Sequence, residues 1–282
     1  MGSERPGAGA GPTDGPVGAG RALACRNRRH QPGPRRGQQP AVARRVARRL
    51  PCGRRGLQQR AARYARAVDE APGRRPYASR AGEKLAGALD ALVLDPSGWR
   101  CLDIGASTGG FTDVLLRRGA THVTAVDVGR GLLESTLAAD PRVTLLEGMN
   151  ARHLAPSDVA PPYDLAVLDV SFISLELIVP RVLPLVPAGK VLALVKPQFE
   201  LDRADVAPGA GVVRDPVLRA RAVRRVIRVL VSAGWGIEGI VESSLAGPRG
   251  NREVFVLAAS GEGWSAEQIE QRILAEVHRG EG

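Results

Sequence analysis

The sequence predicts an α/β protein: a seven-stranded, mostly parallel sheet with an antiparallel last strand and helices on both faces. Three observations predict it. Short β-rich runs alternate with helical ones from Arg75 onward. The run Cys101-Leu102-Asp103-Ile104-Gly105-Ala106-Ser107-Thr108-Gly109-Gly110-Phe111 passes from an apolar strand through a glycine-rich turn into a helix. Finally, the last two apolar runs are joined only by Ser243 to Arg252, with Gly247-Pro248 and Gly250-Asn251, a link too short for a crossover and suited to an antiparallel hairpin.

In chain order, strands are expected at 99–104, 122–127, 142–147, 164–169, 190–195, 236–243 and 253–259. Helices are expected at 79–92, 110–118, 130–138, 173–186, 215–233 and 265–279. Asp127 ends the run Val123-Thr124-Ala125-Val126, Asp169 ends Leu165-Ala166-Val167-Leu168, and Lys196 ends Leu194-Val195. In open α/β sheets ligands bind beyond the carboxyl ends of the strands. Asp103 to Gly110, Asp127, Asp169 and Lys196 all belong at such ends.

The first quarter differs. Residues 1–76 carry 18 Arg, no Lys and 4 acids, a net +14, whereas the remainder is at −3. Only the first quarter therefore reads electrostatically as a nucleic-acid binder. Residues 1–74 are rich in Gly, Pro, Ala and Arg and too poor in large apolar residues to form a core of their own. Ala41 to Leu50 has the spacing of a short basic amphipathic helix. Three readings stand for this segment: a disordered RNA-attracting arm, a remnant or mistranslated domain, or a folded module. A domain over 75–260 follows, and 261–282 form a C-terminal helix and tail.

Cys25, Cys52 and Cys101 are far apart and odd in number, which suits a reducing cytoplasm rather than a disulfide framework. The four histidines are scattered, so no metal site is expected. No apolar run is long enough to span a membrane, and the first 30 residues lack the apolar core of a secretory signal.

The turn Gly105 to Gly110 lets backbone N–H groups approach a ligand at a helix N-terminus. Asp127, 20 residues beyond Ser107, is placed to accept hydrogen bonds from a ribose. The spacing of Gly105, Gly109 and Gly110 is not that of a dinucleotide loop. Asp103 would repel a pyrophosphate but suits a cationic ligand such as S-adenosylmethionine. A nicotinamide cofactor and a purely structural strand–turn–helix are the alternatives.

The chain has three lysines against 37 arginines, so each lysine invites a reason. Lysine, unlike arginine, can give up its proton when buried. Lys84 lies in Ser79-Arg80-Ala81-Gly82-Glu83-Lys84-Leu85, Lys196 ends a strand before Pro197, and Lys190 is a solvated flank. Glu253 opens the last strand. The plain alternatives are surface lysines, a helix-capping Asp169 and an edge Glu253. If Lys84, Asp169, Lys196 and Glu253 converge, they suit methyl transfer to a poor nucleophile, a ribose 2′-hydroxyl that must be aligned and lose its proton. Amino-methylating enzymes often carry Asn/Asp-Pro-Pro-aromatic after the fourth strand. Here the stretch is Asp169-Val170-Ser171-Phe172, which favours ribose over a base amine.

Ser79–Leu85, Cys101–Leu115, Asp140-Pro141-Arg142-Val143, Asn150-Ala151-Arg152, Asp169–Ser174, Val195–Glu200, Gly211 to Pro216 and Gly247–Phe255 together resemble the TlyA family, over roughly 75–260. The resemblance implies an rRNA cytidine 2′-O-methyltransferase with an FtsJ-like catalytic domain, of a family historically labelled haemolysins. It puts the family's Lys-Asp-Lys-Glu tetrad on Lys84, Asp169, Lys196 and Glu253. It puts S-adenosylmethionine contacts on Asp103, Gly105, Ser107, Gly109, Asp127 and Asn150. The implied partner is ribosomal RNA in ribosomal subunits, with no membrane and no stable protein partner. The loop 198–213 is expected to cover the substrate. Departures from the family pattern at 130–137 and 147–149 leave an alternative, a non-catalytic RNA-binding or ribosome-assembly protein that retains the fold. A membrane-active haemolysin is disfavoured by the lack of a long apolar segment.

Overall fold

A computed structural model describes residues 76–279. The basic segment 1–74 and the helix expected at 41–50 lie outside the described residues. The elements are α1 (Arg80–Ala91), β1 (Arg100–Ile104), α2 (Gly110–Arg117), β2 (His122–Asp127), α3 (Ser135–Ala138), β3 (Val143–Glu147), β4 (Leu165–Leu168), α4 (Val179–Val182), β5 (Lys190–Val195), α5 (Pro197–Glu200), α6 (Arg203–Val206), α7 (Pro216–Ser232), β6 (Trp235–Glu242), β7 (Val254–Ser260) and α8 (Ala266–Val277).

The strands form one seven-stranded sheet in the order β3-β2-β1-β4-β5-β7-β6. The pairs among β1 to β5 are parallel. β7 runs antiparallel to both neighbours, β5 and β6. The expected mostly parallel sheet with an antiparallel last strand is therefore what forms, and the hairpin inserts β7 inside β6.

Period-2 alternation divides the core between the two faces of the sheet. Leu102, Ile104, Ala166, Leu168, Val191, Ala193 and Val256 face a cluster with Val182 of α4, Val223 and Val226 of α7 and Ile273 of α8. Cys101, Leu165, Val167, Leu192, Leu194 and Phe255 face Leu85 and Leu89 of α1, Phe111 and Leu115 of α2 and Leu137 of α3. A strand covered on both faces must be apolar throughout, which is why these segments read as unbroken hydrophobic runs. Each fully buried Leu or Ile contributes roughly 1.5–3 kcal/mol. α8 belongs to the same core: Ile273 and Val277 are buried, and the Glu276 carboxylate accepts from Glu242 N at 2.8 Å.

Local signals set the helix ends. Ser79 Oγ accepts from Ala81 N to open α1, Asp215 Oδ1 accepts from Val217 N ahead of Pro216 to open α7, and Ser265 with Gln268 forms a reciprocal box at α8. Three expectations need correction. The helix at 130–138 shrinks to Ser135–Ala138, because Gly131 takes φ +65° in the preceding turn. The helix at 173–186 breaks into a 3₁₀ turn at Leu175–Leu177, α4 and a 3₁₀ turn at Leu183–Leu185. Pro180 and Pro184 lack the N–H that a continuous helix requires. The segment 198–213 is no open loop: it holds most of α5, all of α6 and a 3₁₀ turn at Ala207–Gly209.

Candidate active site

The carboxyl ends of β1, β2, β4 and β5 meet on one side of the sheet. Gly105 N donates to Val126 O at 2.8 Å and Asp169 N donates to Ile104 O at 2.9 Å, so the turn after β1 is tied to both neighbouring strands. Gly105 has φ +88°, and a Cβ there would lie 2.5 Å from Asp169 O. Only glycine lets the two backbones come this close. Gly109, at φ +96°, opens α2, and a Cβ there would strike Leu137 Cδ1 at 2.3 Å.

Asp127 organises the neighbouring turn. Its Oδ2 accepts from Ser107 N at 2.8 Å and its Oδ1 from Gly129 N at 2.7 Å. Met149 N donates to Asp127 O, and Asn150 Oδ1 accepts from Arg152 N at 3.0 Å. Gly105, Ser107, Asp127 and Asn150 thus share a cavity of about 270 Å³ whose apolar wall is Val128, Leu132 and Met149.

Asp103 and Gly109 do not line that cavity. Asp103 is wholly buried within β1, where its Oδ2 accepts from Thr112 Oγ1 at 2.6 Å and its Oδ1 has no hydrogen-bond partner among the described residues. Burial pushes its carboxyl up to about 7, against the opposing pull of the Thr112 hydroxyl.

A second cavity, of about 630 Å³, is lined by Lys84 from α1, Asp169 beyond β4, Lys196 beyond β5 and Glu253 before β7. All four residues singled out in the sequence therefore converge. They form two pairs: Lys84 Nζ donates to Glu253 Oε2 at 2.6 Å, and Lys196 Nζ lies 2.6 Å from Asp169 Oδ1. The Lys196–Asp169 contact is an ion pair without a well-directed hydrogen bond: among the described residues Asp169 Oδ1 has no hydrogen-bond partner of good geometry. Lys196 Nζ instead donates to Ser171 Oγ at 2.9 Å. Charged side chains withdrawn from water in this way carry a desolvation cost of several kcal/mol per ion, which their pairing offsets.

Asp169, Ser171 and Phe172 line both cavities and form their common wall. Phe172 is 91% exposed, takes φ +64° and sets its ring 5.1 Å from that of Phe199. A left-handed non-glycine residue of this kind stores strain where site geometry demands it. Exposed Arg80 and Arg249 also line the larger cavity.

Ser171 and Asn251 are residues of this site that sequence reasoning did not single out. Ser171 carries no periodic signal, and only the fold shows that it meets Lys196. Asn251, 3% exposed, accepts from Val213 N and donates to Gly211 O, both at 2.8 Å, which ties the segment after α6 to the β6–β7 turn. Its position beside Gly250 read only as turn chemistry.

Residues 77–260 match the FtsJ-like methyltransferase family model. The 16S/23S rRNA (cytidine-2′-O)-methyltransferase TlyA of Mycobacterium tuberculosis is 46% identical over 211 residues, 73% of this chain and 76% of that one. The chain belongs to the TlyA family of FtsJ-like methyltransferases. Among solved structures, a candidate hemolysin from Streptococcus thermophilus is similar with a TM-score of 0.68 and 37% identity, covering 74% of this chain and 77% of its own. One from Lactococcus lactis gives 0.65 and 38%, covering 69% of this chain and 97% of its own. In this FtsJ-like chain the smaller cavity lies at the glycine-rich turn and the larger at the lysine–acid pairs.

Proposed function

We propose that the protein methylates the 2′-hydroxyl of a cytidine ribose in ribosomal RNA, within ribosomal subunits, using S-adenosylmethionine. The observation that carries this reading is the convergence of Lys84, Asp169, Lys196 and Glu253 on one cavity that shares the wall Asp169–Ser171–Phe172 with the cavity at the glycine-rich turn. The similarity to an rRNA (cytidine-2′-O)-methyltransferase supports the substrate class.

The smaller cavity fits the cofactor. Val128, Leu132 and Met149 offer an apolar wall to an adenine, Asp127 has lone pairs left for ribose hydroxyls, and Asp169 presents negative charge at the common wall. When bound, S-adenosylmethionine supplies an electrophilic methyl on a positively charged sulfur. Gly105 gives it room, while Ser107 and Asn150 line its site.

The residues of this chain then act on the hydroxyl. Lys196 Nζ would accept the 2′-OH proton as the ribose oxygen takes the methyl carbon, with the cofactor departing as a neutral thioether. Asp169 steadies the ammonium that results, and the Lys84–Glu253 pair fixes the opposite side of the cavity. Phe172 and Phe199 offer a face for an unstacked base, and Arg80 and Arg249 offer cations to the phosphates on either side. A non-catalytic protein that merely kept the fold would gain nothing from holding four charges out of water on one cavity. Nor does any helix among the described residues have the length and apolarity to cross a membrane.

Incubation with labelled S-adenosylmethionine and unmodified ribosomal RNA, then nucleoside mass spectrometry, tests the reading. A methyl on ribose is expected; a methyl on a base would overturn it.

A further inference from the structure

We infer that Ser171 is a positioning residue that holds Lys196 at the boundary between the two cavities. The inference rests on the role proposed for Lys196. A lysine head on four rotatable bonds needs more than one anchor to stay in one place, and an ion pair alone sets distance better than direction. Asp169 Oδ1 lies 2.6 Å from Lys196 Nζ but is not in a directed hydrogen bond. The directed bond that Lys196 Nζ makes among the described residues runs to Ser171 Oγ, at 2.9 Å.

The placement of Ser171 makes this anchor useful. Lys196 lines the larger cavity only, whereas Ser171 lines both. The bond to Ser171 therefore draws the amine to the wall across which a methyl must pass. The serine lies in a defined stretch of backbone: Asp169 N is bonded to Ile104 O two residues before it, and Phe172 takes the left-handed conformation just after it. In accepting from Lys196, the hydroxyl oxygen uses a lone pair, so its own O–H remains available to donate. Ser171 thus orients the lysine without placing a second negative charge beside it.

Three proteins test the inference: Ser171→Ala, Ser171→Thr and Lys196→Ala, beside the wild type. Ser171 is exposed, so folding of the variants is expected to be intact, and circular dichroism checks it. In Ser171→Ala, kcat is expected to fall at least about tenfold while KM for RNA and the Kd for S-adenosylmethionine stay within about twofold. Ser171→Thr, which keeps the hydroxyl, is expected to recover most of kcat. Acylation of Lys196 by an amine-reactive ester, read by peptide mass spectrometry without cofactor, is expected to rise severalfold in Ser171→Ala and return in Ser171→Thr. An unchanged kcat, a weakened cofactor Kd, a loss that threonine does not recover, or unaltered acylation of Lys196 would each overturn the inference. Full activity in Lys196→Ala would instead overturn the role proposed for the lysine, so the two failures are separable.

Discussion

Lys84 Nζ and Glu253 Oε2 stand 2.6 Å apart, although 169 residues separate them in the chain. α1 packs against α2 on one face of the sheet, and the hairpin returns β7 to the inner position beside β5; together these bring the two charges into one cavity. Their side chains are only 9% and 1% exposed, so each depends on the other to offset the loss of water. Glu253→Gln strands the ammonium. It is expected to lower unfolding free energy by about 3–5 kcal/mol and methyl transfer by at least about 100-fold. Urea denaturation beside a labelled-methyl assay measures both.

Asp103 gives a pH dependence with a definite sign. Burial holds its folded-state carboxyl at about 7, above the ordinary value of 3.8. A raised carboxyl contributes nothing below the ordinary value, where both states hold the proton. Between roughly pH 4 and 7 the unfolded chain releases its proton before the folded one does, so stability falls as pH rises, and above 7 the penalty is constant. Asp103→Asn removes the ionisation and keeps an acceptor for Thr112. Its stability relative to the wild type is expected to rise between about pH 4 and 7 by on the order of 2–4 kcal/mol and then level off. Denaturant midpoints across that range measure it.

Gly105→Ala adds a Cβ 2.5 Å from Asp169 O at a residue with φ +88°. The strain is expected to cost about 1–3 kcal/mol and to push Asp169 away from the turn. Calorimetry is expected to show at least about tenfold weaker S-adenosylmethionine binding.

Phe172 separates stability from recognition. Its ring is 91% exposed, so Phe172→Ala is expected to leave unfolding free energy within about 0.5 kcal/mol of the wild type. Loss of a stacking face is worth about 1–3 kcal/mol, so KM for RNA is expected to rise between about fivefold and 150-fold. Thermal unfolding and RNA-concentration series distinguish the two.

The sheet was legible because β4, β5 and β7 are covered on both faces and therefore spell unbroken apolar runs. The site was legible in its parts for a related reason: acids and lysines directly after such runs stand at strand ends, where chemistry concentrates. What the residues could not reveal is who meets whom. Nothing in the order of Lys84, Asp169, Lys196 and Glu253 says that the outer two pair and the inner two pair, because that depends on β7 lying inside β6. The burial of Asp103 was hidden as well: its partner is Thr112 on α2, and strand periodicity does not show that contact. The apolar spacing of 173–186 spells one helix, whereas in the chain the missing N–H groups of Pro180 and Pro184 break it.

The most direct measurement is methyl transfer from labelled S-adenosylmethionine to unmodified 30S and 50S particles by the wild type and by Lys196→Ala, followed by nucleoside mass spectrometry. The expected result is 2′-O-methylcytidine with the wild type and none with Lys196→Ala. Equal 2′-O-methylcytidine from both proteins, or none from a wild type that binds the cofactor and the particles, would contradict the assignment of this cavity to ribose methylation.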